Sequence, residues 1–174
     1  EWLHAIAEVY DSGEIGKFPT WMTLRIGTGP KTAADFHRAL KKADHRIGDL
    51  ASHTLRKPAF TVASEETEVE LVKVTVAELG FENGATRKDI YERAMELGLA
   101  LCPAEVGPQL RLQYKDQPMG EWILTAMEPI ADSDGSLRVF GVDRVESGSW
   151  LYGCYGKPGY FWLGGDVWVF IRRK

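Results

Sequence analysis

Residues 101–122 read LCPAEVGPQLRLQYKDQPMGEW, and the parsing of this stretch decides the fold. Pro103 and Pro108 restrict the backbone of CPAEVGP, and Gly107 supplies one permissive joint. Leu110, Leu112 and Tyr114 then alternate with Arg111 and Gln113, the period-two pattern of a strand with one face on a core. Gln117-Pro118-Met119-Gly120 reads as a turn, and GEWILTAMEPI as the next strand, closing at Pro129. On this reading the stretch is a confined loop, a strand, a turn and a second strand, with the two strands paired as a hairpin.

Upstream, Leu3, Ile6, Ala7 and Tyr10 mark one face of a short helix in EWLHAIAEVY, which the glycines of DSGEIG end. TWMTLRIG alternates Trp21, Thr23 and Arg25 against Met22, Leu24 and Ile26 and predicts a strand over 20–27. Thr32 and Asp35 are spaced as a helix cap. Phe36, Ala39, Leu40 and Ala43 form the apolar stripe behind it, with Lys41 and Lys42 toward water. Gly48 is the expected stop, and DLASHTLRK adds a further turn or two before Pro58. In SEETEVELVKVTV the β-branched Val69, Val72, Val74 and Val76 predict a strand. FENGATRKDIYERAMELG carries the clearest helix pattern. Asn83-Gly84 turns the chain, Thr86 and Asp89 cap it, Ile90, Ala94 and Leu97 share a face, and Gly98 ends it.

Downstream the pattern is all β. ADSDGS separates GEWILTAMEPI from LRVFGVDRV, and Val167, Val169 and Ile171 alternate with Trp168 and Phe170 near the end. No 20- to 50-residue period and no low-complexity tract is present. Helices ahead of strands in this way predict one α+β domain over residues 1–174. Residues 1–60 form a helical N-terminal layer, and residues 61–174 form a sheet-containing, mostly antiparallel core.

A chain of 174 residues with 44% hydrophobic side chains buries enough surface to fold without disulfide or metal. The net charge of −4 argues against nucleic acid, whose phosphates demand a basic footprint. Arg172, Arg173 and Lys174 read as a solvated tail. Cys102 and Cys154 form no disulfide framework and read as reduced, partly buried thiols. No apolar run reaches the ~20 residues of a membrane span, and no signal-peptide pattern is visible, so the expected compartment is cytoplasmic.

The block ELGLALCPAEVGPQLRLQYKDQPMGEWILTAMEPIADSDGS resembles one found in a group of uncharacterised bacterial proteins. TWMTLRIGTGPKTAADFHRAL and KPAFTVASEETEVELVKVTVAELGF resemble the same group. The C-terminal aromatic run resembles it least. The resemblance implies one co-folding unit and carries no activity, cofactor, partner or site residue with it.

Candidate sites come from two residue classes. Trp150, Tyr155, Tyr160 and Trp162 sit among glycines, where flat rings beside permissive loops suit sugar stacking. The alternative is a β-core, since aromatics also pack well across strands, and Trp168 fits that alternative. Among the carboxylates, Glu105 lies in the proline-confined loop and Glu121 opens a strand. Glu128, Asp132 and Asp134 follow. Catalytic side chains favour such fixed loop positions. A glycosidase needs two carboxyls roughly 5 to 10 Å apart, and Glu105 and Glu121 flank one strand–turn unit. The competing reading makes each a solvated or salt-bridged residue, with Arg111 or Lys115 close by.

Other motifs are weaker. DSDG (residues 132–135) matches part of a calcium loop, but the remaining ligands are missing, so it reads as an Asp-Gly hairpin turn. His45, Asp49 and His53 would share a helix face, yet Gly48 interrupts them and no metal is expected. Cys102 precedes Pro103 and no G-x-S-x-G occurs, so no nucleophilic triad is supported. Gly27-Thr28-Gly29 lacks the rest of a dinucleotide fingerprint, and Lys31-Thr32 lacks Walker spacing, so helix capping explains it and no cofactor is expected. The expected function is carbohydrate handling by a small glycoside hydrolase, with Glu105 and Glu121 as the carboxylate pair and a glycan as ligand. A non-enzymatic glycan-binding module and an intracellular protein-interaction domain are the alternatives.

Overall fold

In the computed structural model, residues 18–173 are described. The helix expected over EWLHAIAEVY lies outside them. Strand β1 (Met22–Ile26) forms where the alternation required it, with Leu24 and Ile26 turned into the core. Helix α1 (Ala33–Lys42) begins at a complete capping box: Thr32 accepts from the Asp35 amide, and the Asp35 carboxylate accepts from the Thr32 amide. Phe36 and Leu40 are its buried residues. The helix stops well before Gly48. Asp44 takes a left-handed φ of 64°, a conformation aspartate tolerates better than most residues, and the chain turns into β2 (His45–Ile47). Gly48 instead precedes α2 (Asp49–Leu55). Strand β3 (Thr67–Thr75), the short β4 (Ala85–Thr86) and helix α3 (Arg87–Glu96) follow. Thr86 caps α3 through the Asp89 amide, and Gly98 at φ 85° leads out of it into β5 (Leu99–Ala100).

The deciding stretch folds differently from its alternation. Residues Val106–Gln113 form a helix, α4, where a strand was expected over 110–114. Pro108 stands in the first turn, where its missing N–H is not needed. Val106, Leu110 and Tyr114 recur every four residues and are all buried. So are Gly107, Pro108, Gln109 and Arg111. A helix enclosed on nearly every side has no solvated face, so the usual amphipathic signature is lost. No hairpin forms here, and the chain runs from α4 through a turn into β6 (Trp122–Thr125).

The remaining strands are β7 (Ile130–Ala131), β8 (Leu137–Val145), β9 (Gly148–Tyr155), β10 (Phe161–Trp162) and β11 (Val167–Arg172). One large sheet runs in the order β1-β3-β11-β6-β8-β9-β2, with β5 added on β11 and β7 on β8. The β11–β6 and β2–β9 pairs are parallel and the others antiparallel. The fold is α+β, as expected, but its sheet is mixed. Helices are not confined to the N-terminal half, since α4 lies where a loop and strand were expected. Within residues 18–60, β1 and β2 stand beside the helices and supply the two ends of the strand order.

Both faces of the sheet are covered. On one, α4 lies against β8 so closely that a Cβ at Gly107 would fall 2.5 Å from the Phe140 Cβ. Edge-on contacts run from Phe36 to Phe60 (5.7 Å between centroids) and from Phe60 to Phe140 (5.9 Å). On the other, Tyr91 of α3 meets Trp168 (5.6 Å) and Phe170 (6.0 Å) edge-on, and its hydroxyl donates to the Met127 carbonyl (2.9 Å). The β4–β10 ribbon completes this side, where Trp162 packs on Trp168 at 5.3 Å. No helix among the described residues is long and apolar enough to cross a membrane.

Candidate functional site

Glu105 is only 1% exposed and lies just ahead of α4. One carboxylate oxygen accepts from the Gly27 amide (2.6 Å) and from Gln109 Nε2 (3.0 Å), and the other accepts from the Ala63 amide (2.8 Å). These donors stabilise the buried anion. The same face of α4 continues the pattern at four-residue spacing. Gln109 Nε2 donates to the Thr28 carbonyl (2.9 Å). Gln113 Nε2 donates to the Arg25 carbonyl (2.7 Å), while its Oε1 accepts from the Arg25 amide (3.1 Å). Glu105, Gln109 and Gln113 thus form a polar ladder that stitches α4 to the edge strand β1 and the turn after it.

Glu121 is held elsewhere. Tyr114 donates its hydroxyl to Glu121 Oε1 (2.8 Å), and Lys73 Nζ stands 3.4 Å from Oε2. Burial, then the bond to Glu121, pushes the Tyr114 phenol up, so it remains a donor. Lys73 also lies over the Trp21 ring at 4.6 Å. An eight-residue helix spans roughly 12 Å. Glu105 serves its beginning and Glu121 is tied to the residue after its end. Arg111, expected as a possible partner of either, contacts neither carboxylate. Its guanidinium donates to Gln117 Oε1 (2.7 Å) and to the carbonyls of Asp143 and Tyr114 (2.9 Å each), and burial pulls its pKa down to about 10.

The aromatic candidates divide. Tyr155 and Tyr160 stack at 4.7 Å and 24°, and Tyr160 meets Trp162 at 4.9 Å. Trp162 continues to Trp122 at 6.2 Å, and Trp122 to Tyr152 at 6.3 Å. Tyr155 is 51% exposed and Trp122 38%, so the row opens to solvent. Trp162, expected to be exposed, is 4% exposed because Trp168 backs it from below. Trp150 stands apart from the row on strand β9. Its Nε1 donates to Ser147 Oγ (3.0 Å), and Arg46 lies over its ring at 5.6 Å.

Trp122 and Tyr152 join the row through cross-strand register, which short-range reading did not capture. Tyr152 lies opposite Gly141 on β8, and a Cβ there would fall 2.3 Å from its ring. The Tyr152 hydroxyl and the Trp162 and Trp168 indole N–H groups are buried with no hydrogen-bond partner among the described residues. Arg138 lies over the Tyr155 ring at 5.5 Å and is anchored by Asp132 at 3.1 Å. Asp132 also accepts from the Asp134 and Ser136 amides, so DSDG is a side-chain-braced hairpin turn.

One further polar pair escaped motif analysis. His37 of α1 places Nε2 2.8 Å from Ser52 Oγ of α2, and its Nδ1 2.7 Å from the Ala33 carbonyl. Burial pushes the thiols of Cys102 and Cys154 up, which keeps them protonated. Among the described residues no three His, Cys, Asp or Glu side chains are grouped to hold a metal ion. No protein-family model, curated protein or solved structure matches the chain.

Proposed function

We propose that the protein is a glycan-binding module whose platform is the row Tyr155, Tyr160, Trp162 and Trp122. The observation that carries this reading is the stacked, solvent-open Tyr155–Tyr160 pair resting on Trp162. Apolar sugar faces pack on such rings, while hydroxyls need polar groups at the rim. The Arg138 guanidinium, 5.5 Å from the Tyr155 ring centroid, places donors at one end of the row. The hydrolytic version has weaker support. To protonate a glycosidic oxygen, Glu105 would have to release the Gly27 and Ala63 amides that it holds.

A tryptophan-emission titration against a panel of neutral and acidic oligosaccharides, run beside a reducing-end assay, tests the proposal. The expected result is a saturable emission change with no new reducing ends. Turnover that is lost in Glu121→Gln would restore the hydrolase reading. The protein-interaction reading draws on Phe161 and Leu163, which are 53% and 65% exposed beside the row. It requires an emission indifferent to every sugar and a solution mass that rises with concentration.

A further inference from the structure

We propose that Ser52 and His37 form a nucleophile and general-base pair able to take acyl groups from activated esters. This goes beyond glycan binding and does not depend on it. The argument begins with the tautomer. The Ala33 carbonyl can only accept, so His37 Nδ1 carries the hydrogen in that 2.7 Å contact. Nε2 is left with its lone pair, and the Ser52 hydroxyl donates to it across 2.8 Å. The hydroxyl proton therefore already points at its acceptor, with the imidazole oriented by a third group.

Both residues are half-buried rather than sealed in the core. Both also stand on fixed elements. Phe36 and Leu40 anchor α1 in the core on either side of His37. The Ser52 amide donates to the Gly48 carbonyl, and the Gly48 amide donates to the Leu151 carbonyl of β9, both at 2.9 Å. The orienting group is a neutral carbonyl rather than a carboxylate, so the imidazolium gains less stabilisation than in a full triad. The substrate class is accordingly esters with good leaving groups, and amides are excluded.

In the reaction, Ser52 Oγ bonds to the acyl carbon as its proton passes to His37 Nε2. The bond from that carbon to the alcohol oxygen breaks, and the departing oxygen takes the proton from Nε2. Water, deprotonated by Nε2, then attacks the acyl-serine. The carboxylic acid leaves and the Ser52 hydroxyl is restored.

The test is to treat the full chain with p-nitrophenyl acetate and, separately, with a fluorophosphonate probe, and to map the adducts by peptide mass. The proposal requires a nitrophenolate burst and an adduct on Ser52, with both absent in Ser52→Ala. In His37→Ala the rate of Ser52 modification falls about 100-fold, and added imidazole restores part of it. His37→Gln, which keeps a hydrogen-bonding side chain in place, gives the same fall with an unchanged thermal melt. Adducts confined to other residues, or Ser52 modified at an unchanged rate in either histidine variant, would overturn the proposal.

Discussion

The Gly27 amide donates to the Glu105 carboxylate across 2.6 Å, joining residues 78 apart in sequence. The same carboxylate holds Ala63, so one side chain ties the turn after β1 and the approach to β3 to the start of α4. Glu105→Ala would leave a buried amide without an acceptor and is expected to cost about 3 kcal/mol. Glu105→Gln would set an NH2 group against one of the two amides and is expected to cost about 2 kcal/mol. Urea unfolding measures both. A loss under about 0.5 kcal/mol in each would show that the ladder does not support the fold.

Gln113 satisfies both backbone groups of Arg25 on the outermost strand of the sheet. An edge strand left open is a template for pairing with another chain. Gln113→Ala is expected to lower stability by about 1 kcal/mol and to raise self-association, read by sedimentation velocity over a concentration series. A monomer with unchanged sedimentation would mean that neighbouring side chains protect the edge without Gln113.

His45 supplies a pH prediction. Burial first, then the nearby Arg111 charge, holds its pKa below the ordinary value, against a smaller opposing effect of Asp44. The folded chain therefore binds this proton less readily than the unfolded chain. The stability contribution is complete above about pH 6.5 and is lost as the pH falls through the lowered folded-state value. Between about pH 7.5 and 5 the melting temperature of the unsubstituted protein is expected to fall further than that of His45→Gln. Parallel melting curves across that window would contradict the assignment.

The sequence disclosed those elements whose determinants are local. The capping pairs Thr32–Asp35 and Thr86–Asp89 located α1 and α3, alternation located β1 and β11, and β-branched valines located β3. Helix α4 was misread because LRLQY happens to alternate while the helix is buried all round. The four-residue recurrences of Val106, Leu110 and Tyr114 and of Glu105, Gln109 and Gln113 were the signal available. Strand order was not legible. Placing β11 between β3 and β6 joins distant parts of the chain, and the β11–β6 contact is parallel.

The candidate site shows the same divide. Tyr155, Tyr160 and Trp162 are close in sequence and do come together, whereas Trp122 and Tyr152 join them only through the register of β6, β8 and β9. The backbone amides that Glu105 holds lie 78 and 42 residues away, so its confinement in the core could not be seen beforehand.

The glycan-binding reading is tested most directly by titrating a bound oligosaccharide against the Tyr155→Ala/Tyr160→Ala double variant and against Trp150→Phe. Each aromatic stack contributes about 0.5–1.5 kcal/mol, so loss of both is expected to weaken binding roughly 5- to 150-fold with an unchanged thermal melt. Trp150→Phe is expected to bind like the unsubstituted chain, because Trp150 stands outside the row. Equal affinity in the double variant, or a loss confined to Trp150→Phe, would contradict the assignment of the Tyr155–Tyr160 surface as the platform.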